Sequence, residues 1–209
     1  MNRILAFMFV SLLIACKPTS QNKYELLNKD AAFRAEISTG TGGSFVELSE
    51  GYTYYQEANK NSQKSTVILV HGFSVPSYIW ETTYEALIEK EFHVVVLDLY
   101  GRGFSDNPDT DYTDRLMANQ VLELINHLHI TQAHLVGLSN GGRIISQAAV
   151  LQPQLVQSLI YVSSNSFEDI EVTKDVSVST DEIAEFISRY PAIALGQLDD
   201  FFDPTQFPN

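Results

Sequence analysis

Ser139 is the residue of this sequence best placed to carry out covalent chemistry. It lies at the centre of residues 137–141, Gly-Leu-Ser-Asn-Gly, which form a Gly-x-Ser-x-Gly pattern. On a sharp turn between a strand and a helix, a serine presents its hydroxyl as a nucleophile, and flanking glycines make room for the tight backbone. Residues 133–138 predict a buried strand and residues 142–151 a helix. This context favours a nucleophile over the alternative, a serine in an ordinary glycine-containing turn.

Two other apolar runs also end in glycine-containing turns. Residues 66–70 are followed by His-Gly-Phe at residues 71–73, and residues 94–97 by Asp-Leu-Tyr-Gly-Arg-Gly-Phe-Ser at residues 98–105. With these three motifs in this order, the chain resembles the α/β-hydrolase superfamily over residues 44–164. The resemblance implies an α/β fold, with a mostly parallel sheet flanked by helices.

The segments around these motifs predict the elements of such a fold. Residues 45–48 and 52–56 alternate apolar and polar side chains, which predicts an antiparallel hairpin with one solvated face. Nearly continuous apolar runs predict strands covered on both faces. These runs are residues 66–70, 92–97, 133–138 and 158–162. Helices are predicted between them, one opening at Pro76 and one capped by Thr113.

The resemblance also implies a reaction and a site. A serine at the turn, where some relatives carry aspartate, implies acyl transfer through an acyl-enzyme, and we favour hydrolysis of carboxylic esters or related acyl compounds. The partner would be a small-molecule acyl substrate, and no cofactor is expected. Ser139 would be the nucleophile, and the backbone amides of Phe73 and Asn140 would form the oxyanion hole. The turn and loop glycines of this site would be Gly72, Gly137 and Gly141.

The remaining catalytic groups have no clear counterpart. In this superfamily the acid and then the histidine follow the serine along the chain. All five histidines precede Ser139; they are His71, His93, His127, His129 and His134. Glu168 and Asp169 are candidates for the acid, and no metal site is expected because the histidines lack a third ligand.

The histidine order leads us to expect that this chain is inactive by itself. In this interpretation it is the N-terminal portion of a hydrolase, incomplete after the sixth strand and the start of a lid. One alternative is a non-catalytic, membrane-anchored lipoprotein that binds a ligand or partner on a degenerate hydrolase scaffold. The other alternative is an enzyme completed by another chain.

The first residues predict export and lipidation. Residues 1–15 contain one positive charge and an apolar stretch too short to span a bilayer, which is typical of a signal peptide. The ending Leu-Ile-Ala-Cys at residues 13–16 resembles a bacterial lipobox. That resemblance implies acylation of Cys16, attachment to the lipid bilayer and a location in the cell envelope. In a Gram-negative host, Lys17 favours the outer membrane. A chance cysteine behind a plain signal peptide is the alternative.

Composition and boundaries complete the prediction. We expect a lipidated tether over residues 16–43 that includes one short helix around residues 24–37, the hydrolase core over residues 44–170 and the start of a helical lid over residues 171–209. Ordinary core-packing helices are the alternative to a lid. The formal charge of −13 argues against nucleic acid and against electrostatic adhesion to anionic lipid. A single cysteine excludes an internal disulfide. The sequence gives no prediction of oligomeric state.

Overall fold

The computed structural model describes residues 29–165 together with residues 185, 188 and 189, which are helical. Within residues 29–165, six strands form one sheet that carries four α-helices. The strands are β1 (Ser44–Leu48), β2 (Gly51–Ala58), β3 (Thr66–Val70), β4 (His93–Leu97), β5 (Ala133–Leu138) and β6 (Val156–Val162). The helices are α1 (Ala31–Thr41), α2 (Glu81–Glu89), α3 (Asp114–His127) and α4 (Asn140–Leu151).

The sheet has the order β1-β2-β4-β3-β5-β6. The hairpin of β1 and β2 is antiparallel and joins β4 in antiparallel orientation, whereas β4, β3, β5 and β6 run parallel to their neighbours. The predicted fold class is therefore confirmed, with a mostly parallel sheet flanked by helices. β6 begins two residues earlier than the apolar run at residues 158–162 indicated.

Both faces of the sheet are covered at β3, β4 and β5, which explains the continuous apolar runs of these strands. The prediction is wrong for β6, which lies at the edge of the sheet within the described residues: none of its residues is fully buried, and Ile160 and Tyr161 are 44% and 45% exposed. On β3, Ile68 and Val70 belong to the cluster that includes buried side chains of α3 and α4. Val67 and Leu69 point to the other face, where Trp80 and the half-buried side chains of α2 pack. Alternate residues of one strand thus contribute to two cores.

The predicted helix starts are partly confirmed. The hydroxyl of Thr113 accepts a hydrogen bond from the backbone amide of Leu116 at 3.1 Å and caps α3. Pro76, in contrast, precedes a short 3₁₀ helix at Ser77–Trp80, and α2 begins only after it. The buried Trp80 is the last residue of the 3₁₀ helix and directly precedes α2.

The N-terminal helix differs from the prediction. We expected a helix around residues 24–37 and a glycine-rich tether up to residue 43, but α1 includes residues 39–41. Asp30 caps its start by accepting hydrogen bonds from the amides of Ala32 and Phe33, each at 3.0 Å. Gly42, with φ of 71°, ends it in a left-handed turn. These two caps outweigh the low helix propensity of the Thr-Gly residues between them.

Several predictions fall outside the described residues. They are the signal peptide, Cys16, the acid candidates Glu168 and Asp169, and most of the lid segment, of which only residues 185, 188 and 189 are described. A helix needs about 20 apolar residues to cross a bilayer. Among residues 29–165, no helix meets this requirement.

Candidate active site

Ser139 occupies a constrained turn between β5 and α4. Its φ of 52° and ψ of −119° lie in a region that residues with a side chain rarely adopt. Backbone hydrogen bonds hold this conformation: the Ser139 amide donates to the carbonyl of Val162 at 2.9 Å, and the Ser139 carbonyl accepts from the amides of Gly142 at 3.0 Å and Asn165 at 3.4 Å. The half-buried side chain is thus fixed at the carboxyl end of β5.

The glycines around the turn are required by close backbone contacts. A Cβ atom on Gly137 would lie 2.5 Å from the carbonyl oxygen of Gly141, and one on Gly141 would collide with the carbonyl of Val70. A Cβ atom on Gly72 would lie 3.0 Å from the Cβ and 3.6 Å from the Oγ of Ser139. The loop at residues 71–73 therefore passes directly against the serine.

The hydroxyl of Ser139 has an unexpected partner. It donates to the side-chain carbonyl oxygen of Asn165 at 3.2 Å, just after the end of β6. The neighbouring Ser164 hydroxyl also donates to the Ser139 carbonyl, at 3.3 Å. An amide oxygen is too weak a base to remove the serine proton, so this contact orients the hydroxyl without activating it. The sequence signal for Asn165 was only its position behind the strand that pairs with β5.

His71 is buried beneath the loop, and both of its ring nitrogens are used. Its Nδ1 donates to the Gly72 carbonyl at 2.7 Å, and its Nε2 accepts from the Leu99 amide at 2.9 Å. Burial lowers the pKa of His71 to about 4, although the nearby Asp98 opposes this change. The neutral imidazole therefore braces the loop to the end of β4.

The other histidines lie away from Ser139. His93 and His134 are near the starts of their strands and bond to Glu57 at 2.9 Å and Ser158 at 2.7 Å, respectively. His134 precedes Ser139 by five residues of strand, or roughly 16 Å. His127 and His129 are exposed at the end of α3. Within residues 29–165, no cluster of three or more His, Cys, Asp or Glu side chains is arranged to hold a metal ion.

Asp98 ties together the loops that surround the serine. One carboxylate oxygen accepts from the Ser77 amide and the other from the Phe104 amide, each at 2.8 Å. The side chain is buried, and a Cβ atom on Gly103 would collide with its carboxylate. Asp98 therefore braces the Gly-Arg-Gly loop at residues 101–103.

Arg102 is a further residue of the site that the sequence did not single out. Its Nε donates to the carbonyl of Phe73, and its guanidinium lies 4.7 Å from the centroid of the Phe73 ring. The phenyl ring is 59% exposed, so this stacking covers one face of a side chain at the mouth of the site. Arg102 thus fixes Phe73, whose backbone amide was predicted to form part of the oxyanion hole.

The second predicted donor, the amide of Asn140, lies on the other side of the serine. Asn140 is the first residue of α4, and the backbone amides of the first helical turn have no acceptor within the helix.

Comparison with known proteins decides the family. Residues 65–192, more than half of the chain, match the family model described as alpha/beta hydrolase fold. This chain belongs to the α/β-hydrolase family. The matched region includes the turn at Ser139, the loop at residues 71–73 and Asp98.

Individual relatives of this α/β-hydrolase cover parts of the chain. An uncharacterized protein of Mycobacterium tuberculosis is 38% identical over 112 residues, which are 54% of this chain and 31% of that protein. An uncharacterized hydrolase of Bacillus subtilis is 31% identical over 119 residues, covering 56% of this chain and 43% of its own. The chain thus spans less than half the length of these two curated relatives.

A solved structure resembles the chain more extensively. It is that of Est816, described as an enzyme that degrades N-acyl homoserine lactones. It has a TM-score of 0.59 and 26% sequence identity, and the match covers 78% of this chain and 67% of that one.

Proposed function

We propose that this α/β-hydrolase is a serine hydrolase that cleaves carboxylic esters or related acyl compounds through an acyl-enzyme. The observation that carries the proposal is the constrained turn at Ser139, with the Gly72 loop packed against its hydroxyl. The likeness to an enzyme described as degrading acyl homoserine lactones supports acyl chemistry, since a lactone is a cyclic ester.

The proposed reaction begins with attack of Ser139 Oγ on the acyl carbon. The carbonyl oxygen then becomes an oxyanion, which would accept hydrogen bonds from the amides of Phe73 and Asn140. The N-terminal end of α4 adds its positive electrostatic potential at the same place. The general base takes the Ser139 proton during the attack and gives it to the departing oxygen. Collapse of the intermediate thus releases the alcohol and leaves the acyl group on Ser139, and water then hydrolyses the acyl-enzyme to the free acid.

We propose that the general base is none of the five histidines of this sequence and is supplied by a group outside the described residues. His71 uses both nitrogens to brace the loop, and the other four histidines lie away from the serine. Glu168 and Asp169 remain candidates for the acid that orients the base. Without a base, we expect this chain by itself to show negligible turnover.

A second candidate function is supported by a different observation. Because Ser139 donates to Asn165, the hydroxyl is held by a group that cannot activate it. The same scaffold would then bind an acyl ligand or a protein partner without cleaving it. In this alternative, the turn at Ser139 and the loop at residues 71–73 bind the ligand but do not catalyse a reaction.

We further infer that the chain is anchored in the cell envelope through acylated Cys16. The support is the lipobox-like ending of the signal sequence and the use of the only cysteine at that position. In this arrangement residues 1–15 are the signal peptide, residues 44–170 belong to the hydrolase core and residues 171–209 begin a lid.

Chemical rescue separates the two candidate functions. Imidazole in solution can replace a missing histidine base, so it should permit a fluorophosphonate probe to label Ser139 in the hydrolase. The S139A variant should show no labelling, whereas S146A, which alters a serine about two turns further along α4, should label as the unaltered chain does. Labelling that is absent at every imidazole concentration, in a chain that still binds short acyl ligands, would favour the binding function instead.

A further inference from the structure

A cavity of about 580 Å³ lies between α1 and α2. The C-terminal half of α1 forms one wall, with Glu36, Ile37, Gly40 and Thr41, and α2 with the preceding 3₁₀ helix forms the other. Tyr54 and Val96 of the sheet also line it, whereas Ser139 and Gly72 do not. The cavity is therefore separate from the candidate active site, and what it binds does not depend on the proposed activity.

The cavity exists because α1 is fastened at its ends and does not pack closely along its length. Near the start of α1, the ring of Phe33 lies 6.3 Å from that of Phe104. At its end, the Tyr54 hydroxyl donates to the Thr41 hydroxyl at 2.8 Å, and the Gln56 amide donates to the Thr41 carbonyl at 3.1 Å. None of the residues of α1 is fully buried. The helix thus bridges a gap that its own side chains do not fill.

The charged residues that line this gap all have the same sign. Glu36 projects from α1, and Glu81 and Glu85 belong to α2. The lining contains no lysine, arginine or histidine. Within residues 29–165, none of these three carboxylates forms an ion pair. Three negative charges would therefore repel an anionic ligand. A cationic ligand would be attracted by three carboxylates that have no basic side chain beside them.

The rest of the lining is aromatic and aliphatic. Tyr54, Tyr78, Tyr84 and Phe104 contribute rings, and Ile37, Ile88 and Val96 contribute aliphatic surface. Burial raises the pKa of Tyr54 and of Tyr84 to about 12, so both phenols stay neutral near neutral pH. Neutral aromatic faces attract organic cations, and aliphatic surface favours an apolar chain.

We propose that this cavity binds a small organic cation, namely an ammonium group that carries an apolar chain. The ammonium group would lie near the carboxylates of Glu36, Glu81 and Glu85 and the tyrosine rings. The chain would lie against Ile88 and Val96. A bare metal ion fits this lining less well, because much of the surface is apolar and offers no ligands.

Octyltrimethylammonium is a suitable probe, with octyl sulfate and octyl glucoside as anionic and neutral analogues of the same chain length. We would titrate each one into the full 209-residue chain by isothermal titration calorimetry, below its micellar concentration. The cation should bind with one-to-one stoichiometry, the neutral analogue at least about threefold more weakly, and the anion not measurably. Added salt should weaken binding of the cation.

Charge-removing variants test the site itself. The variant E36Q/E81Q/E85Q should bind the cation about tenfold more weakly, since each exposed charge pair contributes modestly. E89Q is the matched control, because Glu89 is exposed on α2 but does not line the cavity, and it should leave the affinity unchanged. Glutamine is nearly isosteric with glutamate, so both proteins should retain the same circular dichroism spectrum. The proposal fails if the cation does not bind, if the neutral analogue binds equally well, or if the triple variant binds as E89Q does.

Discussion

Lys29 makes the stability of the folded chain depend on pH in an unusual direction. Its ammonium group donates to the carbonyls of Gly103 and Ser105, in the loop that includes Arg102. Burial lowers the pKa of Lys29 from 10.5 to about 8, although Asp98 and Asp106 oppose this change. A lowered lysine pKa means that the folded state disfavours the protonated form relative to the unfolded state.

The sign and size of the effect follow from this difference. Below about pH 8 both states carry the proton, so the full cost of burying the charge is present, at most about 3 kcal/mol. As the pH rises from about 8 towards 10.5, the folded state releases its proton first, and the free energy of unfolding increases. Between pH 7.5 and 9.5 we expect a gain of about 2 kcal/mol from Lys29 alone.

The K29M variant removes this dependence, because methionine does not ionise. Urea unfolding at several pH values between 7.5 and 9.5 should show the unaltered chain gaining about 2 kcal/mol relative to K29M. K60M is the control: Lys60 is 67% exposed, so its removal should leave the pH slope of the unaltered chain. Other titrating groups are common to all three proteins and cancel. Parallel curves for the unaltered chain and K29M would show that the two carbonyl bonds keep Lys29 protonated, and would refute the reasoning.

Three further predictions concern the site and the anchor. G141A should destabilise the fold by about 1–3 kcal/mol in urea unfolding, because its Cβ atom collides with the backbone of β3; a variant as stable as the original would show that the turn can relax. In the imidazole-rescued reaction, R102A should lower the rate of fluorophosphonate labelling about tenfold or more, because loss of the Arg102 contacts displaces the Phe73 amide. R102K should restore little of this rate, because lysine lacks the planar guanidinium. Equal labelling rates for the unaltered chain, R102A and R102K would show that Arg102 does not act in the site. In bacteria supplied with labelled fatty acid, the chain should incorporate label and sediment with membranes, and C16S should do neither; label retained by C16S would exclude Cys16 as the anchor.

Much of the fold could be predicted because burial on both faces leaves a clear pattern in sequence. β3 and β5 have the predicted bounds, because their buried positions are apolar or small. The turn at Ser139 was predictable for a related reason. Only glycine fits where the backbones of residues 137, 141 and 70 meet.

The features that the sequence did not reveal depend on contacts between distant segments. Asn165 reaches Ser139 only because β6 pairs with β5 in a particular register. Arg102 reaches Phe73 across 29 positions of the sequence, and no local pattern records that contact. The helix α1 extends to Thr41 because of its caps at Asp30 and Gly42, whereas helix propensity alone predicted an earlier end.

The attachment of Lys29 to the loop at residues 103–105 also limits where the molecule can work. Lys29 is 13 positions after Cys16, and an extended chain covers at most about 3.6 Å per residue, or about 47 Å in all. With Cys16 acylated, the loop that steadies Phe73 would remain within this distance of the lipid surface. The serine would then act on molecules at or near the membrane, so its substrates would be selected by location as well as by shape.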